Sequence, residues 1–207
     1  MPRRIDYYFS LASPWSYLGH AEFIRIASEN GAGVNYKPVA LGKVFPETGG
    51  LPLAKRHPAR QAYRLVELQR WREKRKIGLK LAPKFWPFDQ TLADQLIIAL
   101  AASGAAVESF LPYAFAAVFD HERNLADETV LSALLGEAKL DAAALLARAK
   151  SEATKNEYTR FGEEAIAAGV FGAPSYVLDG EIFWGQDRLS LLEEALKSGR
   201  APYLSAV

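Results

Sequence analysis

Ile5-Asp6-Tyr7-Tyr8-Phe9-Ser10-Leu11-Ala12-Ser13-Pro14-Trp15-Ser16 is the stretch whose reading decides the fold. Ile5, Tyr7, Tyr8 and Phe9 are β-branched or aromatic, and the run closes on small and polar residues, the pattern of a buried strand over residues 4–10. Ser13 then makes a good helix N-cap. Pro14 suits the first helical position, because its fixed φ is helical and its missing N–H would have had no partner there. Leu18, Ala21 and Ile24 recur three apart, and Tyr17 lies four before Ala21, so a helix from about residue 14 to 29 buries one face. Asn30-Gly31 stops it. Val34 to Val39 reads as a second strand, and strand, helix and strand in so short a span make a βαβ unit with a right-handed crossover.

Composition narrows the possibilities further. The chain has 207 residues, half of them hydrophobic, enough for a sizeable core or a small domain carrying an insertion. With 25 basic residues against 24 acidic, charge gives no reason to expect a nucleic-acid or anionic-membrane partner. No apolar run approaches the roughly 20 residues that span a bilayer, and the N-terminus lacks the apolar region of a secretory signal, so a cytoplasmic location is expected. There is no cysteine, which excludes a disulfide framework, a thiolate metal site and a cysteine nucleophile. His20, His57 and His121 are not spaced as ligands, and no metal is expected.

After a Gly/Pro-rich loop (Gly42 to Pro52) the chain becomes helical and alanine-rich over about residues 57–168. One helix is expected to turn Tyr63, Val66 and residues 68–71 inward and Arg60, Arg64, Glu67 and Arg70 outward. Others are expected at about 90–103, 106–120, 127–135 and 141–168, with Gly104, Gly136 and Gly169 as stops and Asp127 and Asp141 as caps. Ser175 to Leu178 and Glu181 to Trp184 flank Asp179-Gly180, a strong hairpin signal because the tight turn needs positive φ. A last helix carries Leu189, Leu191, Leu192 and Leu196, with a cap near Gln186-Asp187. The summed order, βαβ, helices, ββα, is an α/β thioredoxin-like fold with a large all-helical insertion: residues 1–45 and 169–207 form the thioredoxin-like unit and 46–168 the insertion. Redox proteins of that fold place Cys-x-x-Cys at this strand-to-helix junction. Ser13 and Ser16 occupy the outer positions here, so any thiol must come with a ligand.

Gly169-Val170-Phe171-Gly172-Ala173-Pro174 is the second informative motif. It reads either as an ordinary loop entering a strand or, given its place before the hairpin, as the loop whose cis-proline exposes the backbone N–H and C=O of Ala173 to an extended peptide.

Three separated motifs in register, Ser13 to Gly19, Gly169 to Pro174 and Phe183-Trp184-Gly185-Gln186-Asp187-Arg188-Leu189, resemble the 2-hydroxychromene-2-carboxylate isomerases, relatives of the kappa-class glutathione transferases. The resemblance covers nearly the whole chain. It implies a glutathione-dependent isomerase of aromatic-compound breakdown, acting on an aromatic 2-oxo acid and often dimeric. Ser13 matches the catalytic serine, which can also be a plain N-cap, and Ala173 and Pro174 would hold the cysteinyl part of glutathione. Gln186 and Asp187 match positions for its γ-glutamyl end, though Asp187 can equally cap the last helix. Trp15 is expected over the substrate ring, though an aromatic there can equally belong to the core, and Arg60 matches a basic residue that receives a carboxylate, with Lys43, Lys55, Arg56 and His57 as alternatives. Thr48-Gly49-Gly50-Leu51-Pro52 departs from the relatives, which carry an asparagine there. Lys84-Phe85-Trp86-Pro87-Phe88 either lines the substrate pocket or packs the helical part against the sheet. The same residues also suit a kappa-like transferase or peroxidase, or a non-catalytic thioredoxin-fold binding protein.

Overall fold

The computed structural model describes residues 3–104 and 107–204. Residues 1–2, 105–106 and 205–207, which include the ends of the expected thioredoxin-like unit and the first residue of the helix expected at 106–120, lie outside the described residues. The sheet contains β1 (Arg4–Phe9), β2 (Gly33–Pro38), β3 (Ser175–Leu178) and β4 (Glu181–Trp184) in the order β2-β1-β3-β4. β1 runs parallel to β2, from Arg4 opposite Gly33 to Phe9 opposite Pro38, and antiparallel to β3, with Ile5 opposite Leu178. This is the thioredoxin arrangement expected from the sequence. The β-branched and aromatic run is central because both of its faces are covered. Ile5, Tyr7 and Phe9 enter one core with Leu18, Phe23 and Ile26 of helix α1 (Pro14–Glu29), while Tyr8 points the other way against Val39 and Val44. Full burial of each such apolar side chain contributes about 1.5–3 kcal/mol.

Between β2 and β3 the chain forms α2 (Leu41–Thr48), α3 (Pro58–Arg75), α4 (Thr91–Ala102), α5 (Val107–Phe119), α6 (Glu128–Glu137), α7 (Ala142–Ala149) and α8 (Glu152–Ala167), and α9 (Leu189–Ser198) closes the fold. Leu96, Ile97, Phe110 and Phe115 share the sheet's own core.

Four local expectations change. Gly42 to Pro52 is not all loop: Val44 is buried against the outer face of the sheet, and that packing holds α2 in place despite Pro46. The segment 141–168 is two helices, because Ser151 is extended and caps α8 by accepting from Thr154 N–H at 3.3 Å. α6 runs through Gly136, and the chain turns instead at Lys139, where φ is +58°. α3 is rotated from the expected orientation. Leu68 is its one fully buried residue and Arg64, Trp71 and Arg75 share that side, whereas Tyr63, Leu65 and Val66 are exposed. A run of basic residues concealed this, since the burying face carries two arginines and sequence hydropathy assigns arginine to water.

Asp94 is a carboxyl with no exposure, and the Tyr158 hydroxyl of α8 donates to it at 2.7 Å. Burial pushes its pKa from 3.8 up to about 8, against the opposing pull of the Tyr158 hydrogen bond. The folded chain therefore holds this proton more tightly than the unfolded chain, so the stability it contributes is fully present below the unfolded value of 3.8 and lost as pH rises through about 8. Asp94→Asn keeps an acceptor for Tyr158 and removes the titration. Denaturant midpoints across that range should show the variant gaining on wild type with rising pH, by on the order of a few kcal/mol; a difference that stays constant with pH would show that Asp94 does not titrate there.

Candidate functional site

Ser13 stands where β1 hands over to α1. Its backbone is extended (φ −97°, ψ 112°), and its Oγ accepts from Ser16 N–H at 3.2 Å, the side-chain cap expected of a serine at that position. The same hydroxyl donates to the carbonyl of Ala173 at 3.2 Å, across 160 residues of chain. Ala173-Pro174 is a cis peptide, as the sequence reading favoured. One hydroxyl thus joins the start of α1 to the loop entering β3. Two donors nearby are unused: among the described residues neither the Trp15 N–H nor the Ala173 N–H makes a hydrogen bond. The first belongs to the exposed turn of a helix N-terminus, where N–H groups and the helix dipole favour an anion.

The two motif serines are not equivalent. Ser13 is 6% exposed and lines the cleft, whereas Ser16 is 0% exposed, its Oγ buried without a partner among the described residues. His20, one turn further on, is buried between the rings of Tyr7 and Phe115, and burial lowers its pKa from 6.5 to about 4. It is a neutral core residue, remote from acid–base work near neutral pH.

Ser13 opens into a cleft of about 850 Å³ between the thioredoxin-like sheet and α3. Trp15, Ala173, Pro174, Gln186, Asp187 and Arg60 all line it, so the structure brings every sequence-expected residue to one place. Their availability differs. Trp15 is half-buried with one side on the core. Gln186 is only 2% exposed, and its side-chain oxygen accepts from Arg75 at 3.3 Å, so that oxygen is held from behind by α3. Asp187 is exposed and paired with Arg188 at 2.6 Å; α9 starts after Arg188 without a side-chain cap, so Asp187 is not the helix cap the sequence allowed. Of the basic residues left open, Arg56 and Arg60 line the cleft, while Lys43, Lys55 and His57 do not; His57 Nδ1 caps α3, accepting from Ala59 N–H at 3.2 Å.

Several lining residues were not read from the sequence. Phe171 and Trp184 meet edge to face at 4.8 Å and form an aromatic wall beside Ala173, with Trp184 still 51% exposed. Trp86 belongs to the aromatic loop, and its indole N–H donates to the Ala12 carbonyl at 2.8 Å, so this loop both lines the cleft and braces the residue before Ser13. Arg64 lies over the Trp86 ring at 5.1 Å. Arg60 and Arg64 lie four apart on one side of α3, with Arg56 in the extended segment just before it, a spacing that could have been seen in the sequence. Burial, then the neighbouring Arg60 charge for Arg56 and the Arg56 charge for Arg64, pull these two guanidiniums below their usual range. At Gly50 a Cβ would stand 2.2 Å from the Phe45 ring, so the aromatic side chain of α2 occupies the space that a side chain at 50 would need.

Comparison with known proteins agrees with this geometry. The DSBA-like thioredoxin domain family matches residues 4–197. A 2-hydroxychromene-2-carboxylate isomerase of Sphingobium xenophagum is 30% identical over 198 residues, covering 95% of this chain and 99% of that protein. The solved structure of a 2-hydroxychromene-2-carboxylate isomerase superposes with a TM-score of 0.82 at 26% identity, covering 94% of this chain and 95% of that one. Glutathione S-transferase kappa 1 of Caenorhabditis elegans is 37% identical over 73 residues, 34% of this chain and 32% of that protein.

Close packing behind the cleft sets its shape. A Cβ on Gly19 would stand 2.6 Å from the Gln186 Cβ and 2.9 Å from the Tyr176 hydroxyl, so α1 can approach the Gln186 turn only because residue 19 has no side chain. Gly19→Ala should destabilise the fold by about 1–3 kcal/mol through overpacking, outweighing its better helix propensity. Urea denaturation reads this directly, and a stabilised variant would show that the contact yields freely.

Proposed function

The chain belongs to the DSBA-like thioredoxin domains and, within them, to the 2-hydroxychromene-2-carboxylate isomerases, and from that membership and the cleft we propose that this isomerase interconverts 2-hydroxychromene-2-carboxylate, or a related aromatic 2-oxo acid, with its ring-opened isomer using glutathione as a thiol cofactor. The observation that carries the cofactor reading is a thiol-binding fold with no thiol of its own: no cysteine anywhere in the chain, yet a capped helix start beside a cis-proline loop with a free Ala173 N–H. Kinship with a kappa-class glutathione transferase points the same way.

The fit of a tripeptide thiol can be argued from the chain's own groups. Ala173 N–H and C=O lie beside a cis-proline and can pair with an extended peptide as a further strand would. That carbonyl already accepts from the Ser13 hydroxyl, so a peptide donor taking it turns the Ser13 proton toward the sulfur. The Trp15 N–H and the α1 dipole add to the same field, which favours a thiolate over a thiol. Asp187 offers a carboxylate to the γ-glutamyl ammonium, and Gln186, fixed by Arg75, shapes the floor beneath it. Arg56 and Arg60 at the rim suit the glycyl carboxylate.

Glutathione, when bound, would supply a nucleophilic thiolate capable of reversible addition to a conjugated double bond, chemistry in which no thiol is consumed and nothing is oxidised. Trp15, Trp86 and the Phe171–Trp184 pair give the aromatic ring apolar surface and limit water around it. The thiol must be reduced to work, which suits a reducing compartment such as the cytoplasm. No helix among the described residues is long and apolar enough to cross a membrane.

Incubating the protein with 2-hydroxychromene-2-carboxylate while counting free thiol tests the proposal: isomerisation with constant thiol is expected, whereas stoichiometric thiol loss would assign it to a conjugating transferase. Ser13→Ala should lower kcat about 100-fold or more while glutathione affinity stays within a few-fold, because most ligand contacts lie elsewhere. The lost cap costs the fold about 1 kcal/mol in addition. Undiminished kcat in that variant would remove the hydroxyl from the chemistry.

A further inference from the structure

Among the described residues Arg64 has no counterpart to its charge. No carboxylate pairs with it and no acceptor among the described residues takes any of its N–H groups, although it is half-buried in the cleft wall. The contrast with its neighbours is sharp: Arg75 bonds Gln186 and meets Glu22 at 3.5 Å, Arg188 pairs with Asp187 at 2.6 Å, and Glu67 pairs with Arg70 at 2.5 Å, so the nearest acid on α3 is already engaged. Arg56, at the rim, donates to the Leu51 carbonyl at 2.8 Å. Its guanidinium nitrogens are not buried away from solvent but open on the cleft, where an anion would replace water with charge-assisted hydrogen bonds.

Its setting says which anion. The Arg64 guanidinium lies over the Trp86 ring at 5.1 Å, a cation–π contact that limits its movement, and its planar donor edge is of the kind that meets a carboxylate with two parallel hydrogen bonds. Trp86 in turn bonds the Ala12 carbonyl, which places this edge one ring away from the residue preceding Ser13, deeper in the cleft than Arg56 and Arg60. A carboxylate attached to an aromatic or conjugated acceptor could reach it while its reactive carbon faces the helix start.

We propose that Arg64 is the specificity-determining receptor for the substrate's carboxylate, steadied by Trp86, and that it selects aromatic 2-oxo acids over their uncharged analogues. The identity of the anion as a 2-oxo acid rests on the isomerase reading; the presence of an anion subsite does not.

The test compares benzoylformate, a small aromatic 2-oxo acid, with its methyl ester, both titrated by tryptophan fluorescence into wild type, Arg64→Met and Arg64→Lys, with glutathione titrated separately. Wild type should bind the acid about tenfold or more tighter than the ester. Arg64→Met should bring that ratio close to one, and Arg64→Lys, which keeps the charge but not the planar fork, should fall between them, with glutathione affinity unchanged in both. An acid-to-ester ratio unaffected in Arg64→Met overturns the proposal. So does a loss that falls on glutathione instead, since Arg64 would then serve the tripeptide. Failure to isomerise 2-hydroxychromene-2-carboxylate, with an acid preference still dependent on Arg64, would strike the proposed reaction and leave the subsite standing.

Discussion

The Ser13 hydroxyl is the contact on which the site depends. It caps α1 through Ser16 N–H and reaches across to the Ala173 carbonyl, so a single oxygen sets both the direction of the helix dipole and its distance from the cis-proline loop. Neither half could form the cleft alone. A helix start without the loop would be one more N-terminus with idle N–H groups, and the loop without the helix would offer a peptide a short strand edge and no field. Gly19 allows α1 to settle against the Gln186 turn, and Trp86 bonds Ala12 from the helical side, so the residue before Ser13 is also held.

Around that contact the cleft is divided by chemistry. The thioredoxin-like side contributes backbone donors and a buried amide oxygen, the helical side a set of arginines, and aromatic rings of both line the cleft. This suits a reaction in which a sulfur anion and a carboxylate must be held together while an apolar ring stays out of water. The near-neutral balance of the whole chain conceals the asymmetry, because Arg56, Arg60 and Arg64 line the cleft together and none of them has an ion-pair partner among the described residues.

What could be read from the sequence was what local chemistry decides. β1, the Ser13-Pro14 helix start, the Asp179-Gly180 hairpin and the caps at Asp127 and Asp141 are each set by a few adjacent residues, and each is found in the structure. α2 and the rotation of α3 depend on which distant surface each segment meets, Val44 on the back of the sheet and Leu68 and Trp71 on the core, whereas the break at Ser151 is a local serine cap inside an otherwise helical run. The site followed the same division. Ser13, Ala173 and Pro174 lie in compact motifs, whereas Arg64 was taken for a solvated charge because nothing near it in sequence announces Trp86, and the engagement of Gln186 by Arg75 spans 111 residues.

The central claim is that the α1 start ionises a borrowed thiol, and the ultraviolet absorbance of the glutathione thiolate, titrated with pH on the bound complex, measures it most directly. The account predicts that the bound thiol loses its proton at a clearly lower pH than free glutathione, and that part of this drop disappears in Ser13→Ala. A bound thiol that titrates as it does in solution would contradict it.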